Sequence, residues 1–250
     1  MRLKTTVVMT LILLSIAGYA FAQQIDANAL LKEADDQANA MKDMSMTMTM
    51  EVFDPSGKSS GLRELKILQK GERRLIRFYK PVKDRGMAFL SLPGDVSFVY
   101  LPEFQKTRRI ASHKRNQTFM GTDFTSEDMS TLRYSDAYDA KLAREEGNFY
   151  VLELTQKPGA KKGYSKLEIY IDKTNKTQNT IIYFNENGEK FKTETRSEYV
   201  RHGDYWSAGK VIMANIKENH KTVCHMSDFK FDQGLPDDLF SQRTLKRPFK

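Results

Sequence analysis

From Met44 onward the hydrophobic pattern of this 250-residue chain has a period of two, and it keeps that period almost to the end. Met44, Met46, Met48 and Met50 alternate with Ser45, Thr47, Thr49 and Glu51. Side chains at a spacing of two share one face of an extended strand, so this run is a half-buried strand with a row of methionines on one side. Further alternating runs follow at Leu62–Gln69, Arg73–Tyr79, Met87–Leu92, Val96–Leu101 and Thr107–Ile110. After a break they resume at Tyr134–Ala143, Phe149–Thr155, Lys166–Ile171, Asn179–Phe184, Lys190–Val200, Lys210–Lys217 and Val223–Phe231. The links between them are turn-like: Asp54-Pro55-Ser56-Gly57, Lys70-Gly71, Pro93-Gly94-Asp95, Glu146-Gly147-Asn148 and, strongest as a hairpin signal, Asn187-Gly188.

Helical spacing is confined to the ends and the break. Leu30, Leu31, Ala34, Ala38 and Met41 recur on one face of a predicted helix Ile25–Met41, with Asp26 as its N-cap. Ala111–Ser130 is polar and loop-like, with a helical tendency near Ser126–Leu132, and Leu235–Phe240 reads as a short closing helix. No linker, repeat or low-complexity block divides the chain. The expected architecture is mainly β: roughly a dozen antiparallel strands in one strongly curved sheet or open barrel, covered by helices.

The first residues read as an address label. Arg2 and Lys4 precede the apolar run Val7–Ala17, and Ala20-Phe21-Ala22 presents small residues where signal peptidase cuts. The expectation is a cleaved leader, 1–22, and one exported domain, 23–250, without a lipid-anchoring cysteine. Cys224 is the sole cysteine, which rules out a disulfide framework and suits a small buried apolar side chain.

Little in the sequence points to catalysis. The four histidines are His113, His202, His220 and His225. Cys224 and His225 would point to opposite faces of a strand, so no zinc-like set forms and no metal or cofactor is expected. Ser56-Gly57-Lys58-Ser59 lacks the first glycine of a phosphate loop, since position 52 is Val52. No nucleophile elbow or metalloprotease pair occurs. The chain is expected not to be an enzyme. Its net charge is +8, and Lys106, Arg108, Arg109, His113, Lys114 and Arg115 gather in one stretch. Export argues against nucleic acid as a partner. The cluster is either a solvated face or a patch for anionic lipid heads or an acidic protein.

The methionine row allows two readings that are compatible. Unbranched thioethers re-pack around different apolar shapes. They either pack beneath the N-terminal helix or line a deformable cavity for acyl chains. Phe119 and Phe124, in the segment that breaks the pattern, either cap such a cavity as lid residues or anchor the loop on the barrel rim.

One stretch carries a resemblance. Pro81-Val82-Lys83-Asp84-Arg85-Gly86, Tyr100-Leu101-Pro102, Lys106-Thr107-Arg108-Arg109-Ile110 and the run Phe119-Met120-Gly121-Thr122-Asp123-Phe124-Thr125-Ser126-Glu127-Asp128-Met129 resemble the LolA-like family of outer-membrane lipoprotein-sorting proteins. The resemblance covers the chain after its leader. It implies a LolA/LolB-like, incomplete (half-open) antiparallel β-barrel of about 11 strands, with an apolar concave face under an N-terminal helix and short lid helices. It further implies a periplasmic carrier that binds acyl chains of a lipoprotein or another lipid and performs no reaction. The related subfamily is often found beside RND-type (MMPL-like) exporters. That makes an adaptor docking on such an exporter, carrying nothing, the alternative.

Overall fold

The alternating runs pair into one antiparallel sheet of 13 strands. The computed structural model describes residues 25–247, so the expected leader lies outside the described residues. In chain order the strands are β1 (Asp43–Phe53), β2 (Ser59–Lys70), β3 (Arg73–Lys80), β4 (Ala88–Leu92), β5 (Val96–Leu101), β6 (Lys106–Arg109), β7 (Tyr138–Glu146), β8 (Phe149–Gln156), β9 (Lys166–Asp172), β10 (Gln178–Phe184), β11 (Lys190–His202), β12 (Tyr205–Asn215) and β13 (His220–Phe231). Three α-helices accompany them among the described residues: α1 (Ala27–Ala38), α2 (Ser126–Ser130) and α3 (Gln242–Leu245). The closing segment expected as one helix is a 3-10 turn, Asp237–Phe240, followed by α3.

Strand order explains how the sheet curves without closing. Neighbours in sequence are neighbours in space except for β6 and β7, and β1 in addition pairs with β13. The first and last strands therefore meet in the middle, and β6 and β7 are left as the two edges. Those edges do not pair with each other. The stretch 110–137 that joins them, and breaks the alternation, crosses the opening. The half-open barrel expected from the resemblance is thus the fold, with more strands than expected.

The inner face holds the main core. It runs from Leu65, Ile67, Ile76, Phe78 and Phe89 on one half to Leu152, Leu154, Leu167, Ile169, Ile171, Ile181 and Tyr183 on the other, with Met213 and Cys224 between them. Cys224 is fully buried, and burial holds its thiol well above the ordinary range, while His225 beside it faces solvent. β3 shows no alternation at Leu75-Ile76-Arg77-Phe78 because both of its faces are covered. Ile76 and Phe78 face the main core, and Leu75 joins Leu68, Ala88, Leu90, Phe98, Phe240 and Leu245 in a smaller one on the outside. There Arg77 donates to the carbonyls of Thr244 (2.8 Å) and Leu245 (3.2 Å) at the end of α3.

α1 starts as its sequence dictates. The Asp26 carboxylate accepts from the backbone N–H of Asn28 and Ala29, both at 3.0 Å. The helix is shorter than expected at each end and buries Leu30, Leu31 and Ala34 over β7 and β12. Burial of an aliphatic side chain contributes roughly 1.5–3 kcal/mol. The helix also places a carboxylate, Asp35, in that interface, where it is wholly buried.

Candidate functional site

Between the methionine row, the end of α1 and α2 lies a cavity of about 220 Å³. Met44, Met46 and Met48 form one wall, extended by Ile67, Val211, Met226 and Phe229 on neighbouring strands. Met50, next in the same row, is fully buried in the packed core and does not line the space. Phe124, Met129 and Leu132 close the cavity from the crossing segment.

That crossing segment is built around a tight reversal. Met120 and Gly121 both take positive φ (55° and 68°), and the Thr122 N–H returns to the Phe119 carbonyl at 3.0 Å. The reversal sets Phe119 and Phe124 opposite each other. Phe119 is buried against Phe89 (ring centroids 5.3 Å apart) and Phe78 (6.1 Å), so it anchors the segment in the core. Phe124 alone of the two reaches the cavity.

Polar contacts tie the segment to both halves of the sheet. Asp128 closes a capping box with Thr125 at the start of α2. It also accepts from Lys192 Nζ at 2.6 Å and from the Tyr164 hydroxyl at 2.9 Å. Asp123 accepts from the Thr222 hydroxyl at 2.7 Å, and His220 Nδ1 stands 2.5 Å from its other oxygen. From the opposite half, Arg74 of β3 donates to the Met129 carbonyl at 3.0 Å.

The second wall is polar and was not foreseen. Gln69, Arg74, Gln178, Glu194, Arg196 and Tyr199 line it. Arg196 donates to Glu194 at 2.6 Å and to Gln178 at 2.7 Å, and the Tyr183 hydroxyl donates to Glu194 at 2.9 Å. Burial is the largest influence on Arg196 and disfavours its charge, but the Glu194 carboxylate together with the Tyr134 and Tyr199 phenols outweighs it and raises the pKa. Arg74 has the opposite fate. Burial, reinforced by the like charge of Arg196, pushes it down to about 10. Burial likewise raises the Tyr134 and Tyr199 phenols, the latter to about 12. The cavity is therefore amphipathic: thioether and aromatic on one side, cationic and amide on the other.

Asp35 joins α1 to this wall. Its two oxygens accept from Gln178 Nε2 (2.9 Å) and the Ser135 N–H (2.7 Å). Burial nevertheless raises its pKa. A carboxyl raised in the folded state favours folding at low pH, and that contribution is lost as pH rises through its folded pKa. Asp35→Asn gives up one hydrogen bond and, having no carboxyl to ionise, also removes this pH dependence, which only the native protein keeps. Its deficit relative to the native protein in urea unfolding should therefore shrink between about pH 4 and pH 7. A deficit that is constant or grows with pH would contradict the burial argument.

The basic cluster divides. Arg108 and Arg109 are exposed on the edge strand β6, and Lys114 is exposed in the following turn. Arg115 is not part of that surface: it is buried, pairs with Asp95 at 2.9 Å and donates to the Lys161 carbonyl. Two cations from the far end of the chain take its place, since Arg243 and Lys246 face Lys106 and Arg108 across an open groove. Among the described residues no helix is long and apolar enough to cross a membrane.

A family model described as that of an uncharacterized protein matches residues 70–247. Among solved structures, a candidate outer membrane lipoprotein-sorting protein domain from Vibrio parahaemolyticus is 27% identical, over 88% of this chain and 98% of its own, with a TM-score of 0.79. A DUF1329 family protein from Desulfovibrio piger is also 27% identical, over 88% of this chain and 99% of its own, with a TM-score of 0.80. A LolA superfamily protein from Nitrosomonas europaea shares the fold at 21% identity, over 88% of this chain and 99% of its own, with a TM-score of 0.74. No curated protein matches.

Proposed function

The chain belongs to the DUF1329 family and has the LolA-like fold, and from that premise we propose a non-enzymatic periplasmic carrier that takes the acyl chains of a lipoprotein or other lipid into the methionine-walled cavity. One observation carries the reading: a half-open sheet keeps a hollow with one apolar wall, formed by Met44, Met46 and Met48, and a segment bridging its two edges covers it. An acyl chain in water costs about 0.8 kcal/mol per CH₂, so several such chains do not cross an aqueous gap unaided. Burial in a hollow of this kind offsets that cost without chemistry.

At about 220 Å³ the cavity is small for a lipid tail, below the roughly 300–1,000 Å³ usual for ligand sites. Loading then requires the 111–130 segment to move outward. Phe119 holds one end of the segment in the core, so the outward swing falls on the part from Phe124 to Leu132, whose Asp128–Lys192 and Arg74–Met129 contacts must open. α1 is the weaker candidate for a lid, since Leu30, Leu31, Ala34 and Asp35 fix it to the sheet. Release needs only a conformation that binds the chain less well.

The basic groove of β6 and α3 favours a second reading, an adaptor that docks on an RND-type exporter and carries nothing. Native mass spectrometry of protein released gently from the periplasm separates the two. A carrier shows a population heavier by the mass of a lipid; a bare protein that still captures the exporter supports the adaptor.

A further inference from the structure

One cation at the cavity has no ion-pair partner among the described residues. Asp128 is matched by Lys192, and Glu194 by Arg196. Arg74 also lines the cavity, yet it has no carboxylate within salt-bridge distance among the described residues. Its neutral partners are the Met129 carbonyl and the Gln69 side-chain oxygen, each at 3.0 Å. Its Nε is shielded from water and has no hydrogen-bond partner. Arg63 and Arg115 also carry a buried nitrogen without a partner, but each of them has a carboxylate, Asp84 and Asp95. Arg74 differs from these two in having no carboxylate in contact, with Glu194 acting on it only from a distance.

A buried cation without a counter-charge is costly, and the cost falls when an anion enters beside it. Met44, Gln69 and Arg74 stand side by side across β1, β2 and β3, and all three line the cavity, so an anion placed there would have the start of the apolar row alongside it. We propose that the cavity accepts amphiphiles with an anionic head, a carboxylate or phosphate held by the Arg74 guanidinium, with the acyl tail along the methionines. This deepens the carrier reading and rests on it. Hydrogen bonds to a charged partner are the strong ones, and a guanidinium fork fits both head groups.

Isothermal titration with four single-tailed or tail-less probes tests this: dodecanoic acid, dodecyl phosphate, dodecanol and inorganic phosphate. The acid and the alkyl phosphate should bind at least about tenfold tighter than the alcohol of equal chain. Arg74→Gln should remove that preference, read as the ratio of acid to alcohol affinity within the variant, and Arg74→Lys should restore part of it. Equal binding of acid and alcohol by the native protein would overturn the head-group site while leaving the carrier intact. Inorganic phosphate binding as tightly as dodecyl phosphate would overturn it too, by showing a site for a free anion. Failure of all three dodecyl compounds would sink the carrier reading itself. Should Arg74→Gln fail to fold, the comparison of probes on the native protein still decides.

Discussion

Replacing Met46 and Met48 together by tryptophan is expected to abolish acyl-chain binding while the protein stays folded. Both side chains lie on the cavity wall, so the added indole volume enters empty space more than packed core. Overpacking a filled core costs about 1–3 kcal/mol, and the cost here should sit at the low end. Displacing about four methylenes of a bound tail forfeits about 3 kcal/mol, a loss of more than a hundredfold in affinity. Titration of a fluorescent fatty-acid probe reads the binding, and urea unfolding reads the fold. Undiminished binding by the folded double variant would place the acyl site elsewhere. If the adaptor reading were right, capture of an exporter would be unaffected by the same substitutions.

Removing one member of the Asp128–Lys192 pair should have the largest effect on stability. Both side chains are almost completely buried, at 3% exposure each. Lys192 also lies over the rings of Tyr164 and Tyr183 at 4.7 and 4.5 Å. Asp128→Ala leaves that ammonium without its counter-charge and removes the capping box of α2. The expected cost is about 3–5 kcal/mol, or a fall in melting temperature of about 10 °C or more. Asp128→Leu combined with Lys192→Met should recover most of the loss, because an apolar pair of similar volume needs no desolvation of charge. A single variant within about 1 kcal/mol of the native protein would mean that the pair is exchanging with solvent.

Much of this architecture could be read from the period of the hydrophobic pattern. Each alternating run became a strand, and the segment that broke the pattern became the piece crossing the open edge. The pairing of β1 with β13 could not be read, since no local signal ties the first strand to the last. The methionine row was legible, because four residues of one type at a spacing of two declare a face. How far along that face the hollow extends was not: Met50 lies beyond it, and only packing from other strands decides where the space ends.

The polar wall was missed for a physical reason. Lys192, Glu194 and Arg196 share one face of β11, and in sequence such a face reads as the solvated one. The opposite face offers Phe191, then Thr193, Thr195 and Ser197, so neither side of that strand is clearly apolar. That ambiguity was the available signal. Arg115 misled in the same way, as a member of a charged run that the Asp95 carboxylate draws inward.

The most direct test of the account is the titration of the unaltered protein with the fatty-acid probe. Saturable binding at one site, reversed by unlabelled fatty acid, is the predicted result. A cooperatively folded protein that shows no saturable uptake up to the solubility of the probe would contradict it.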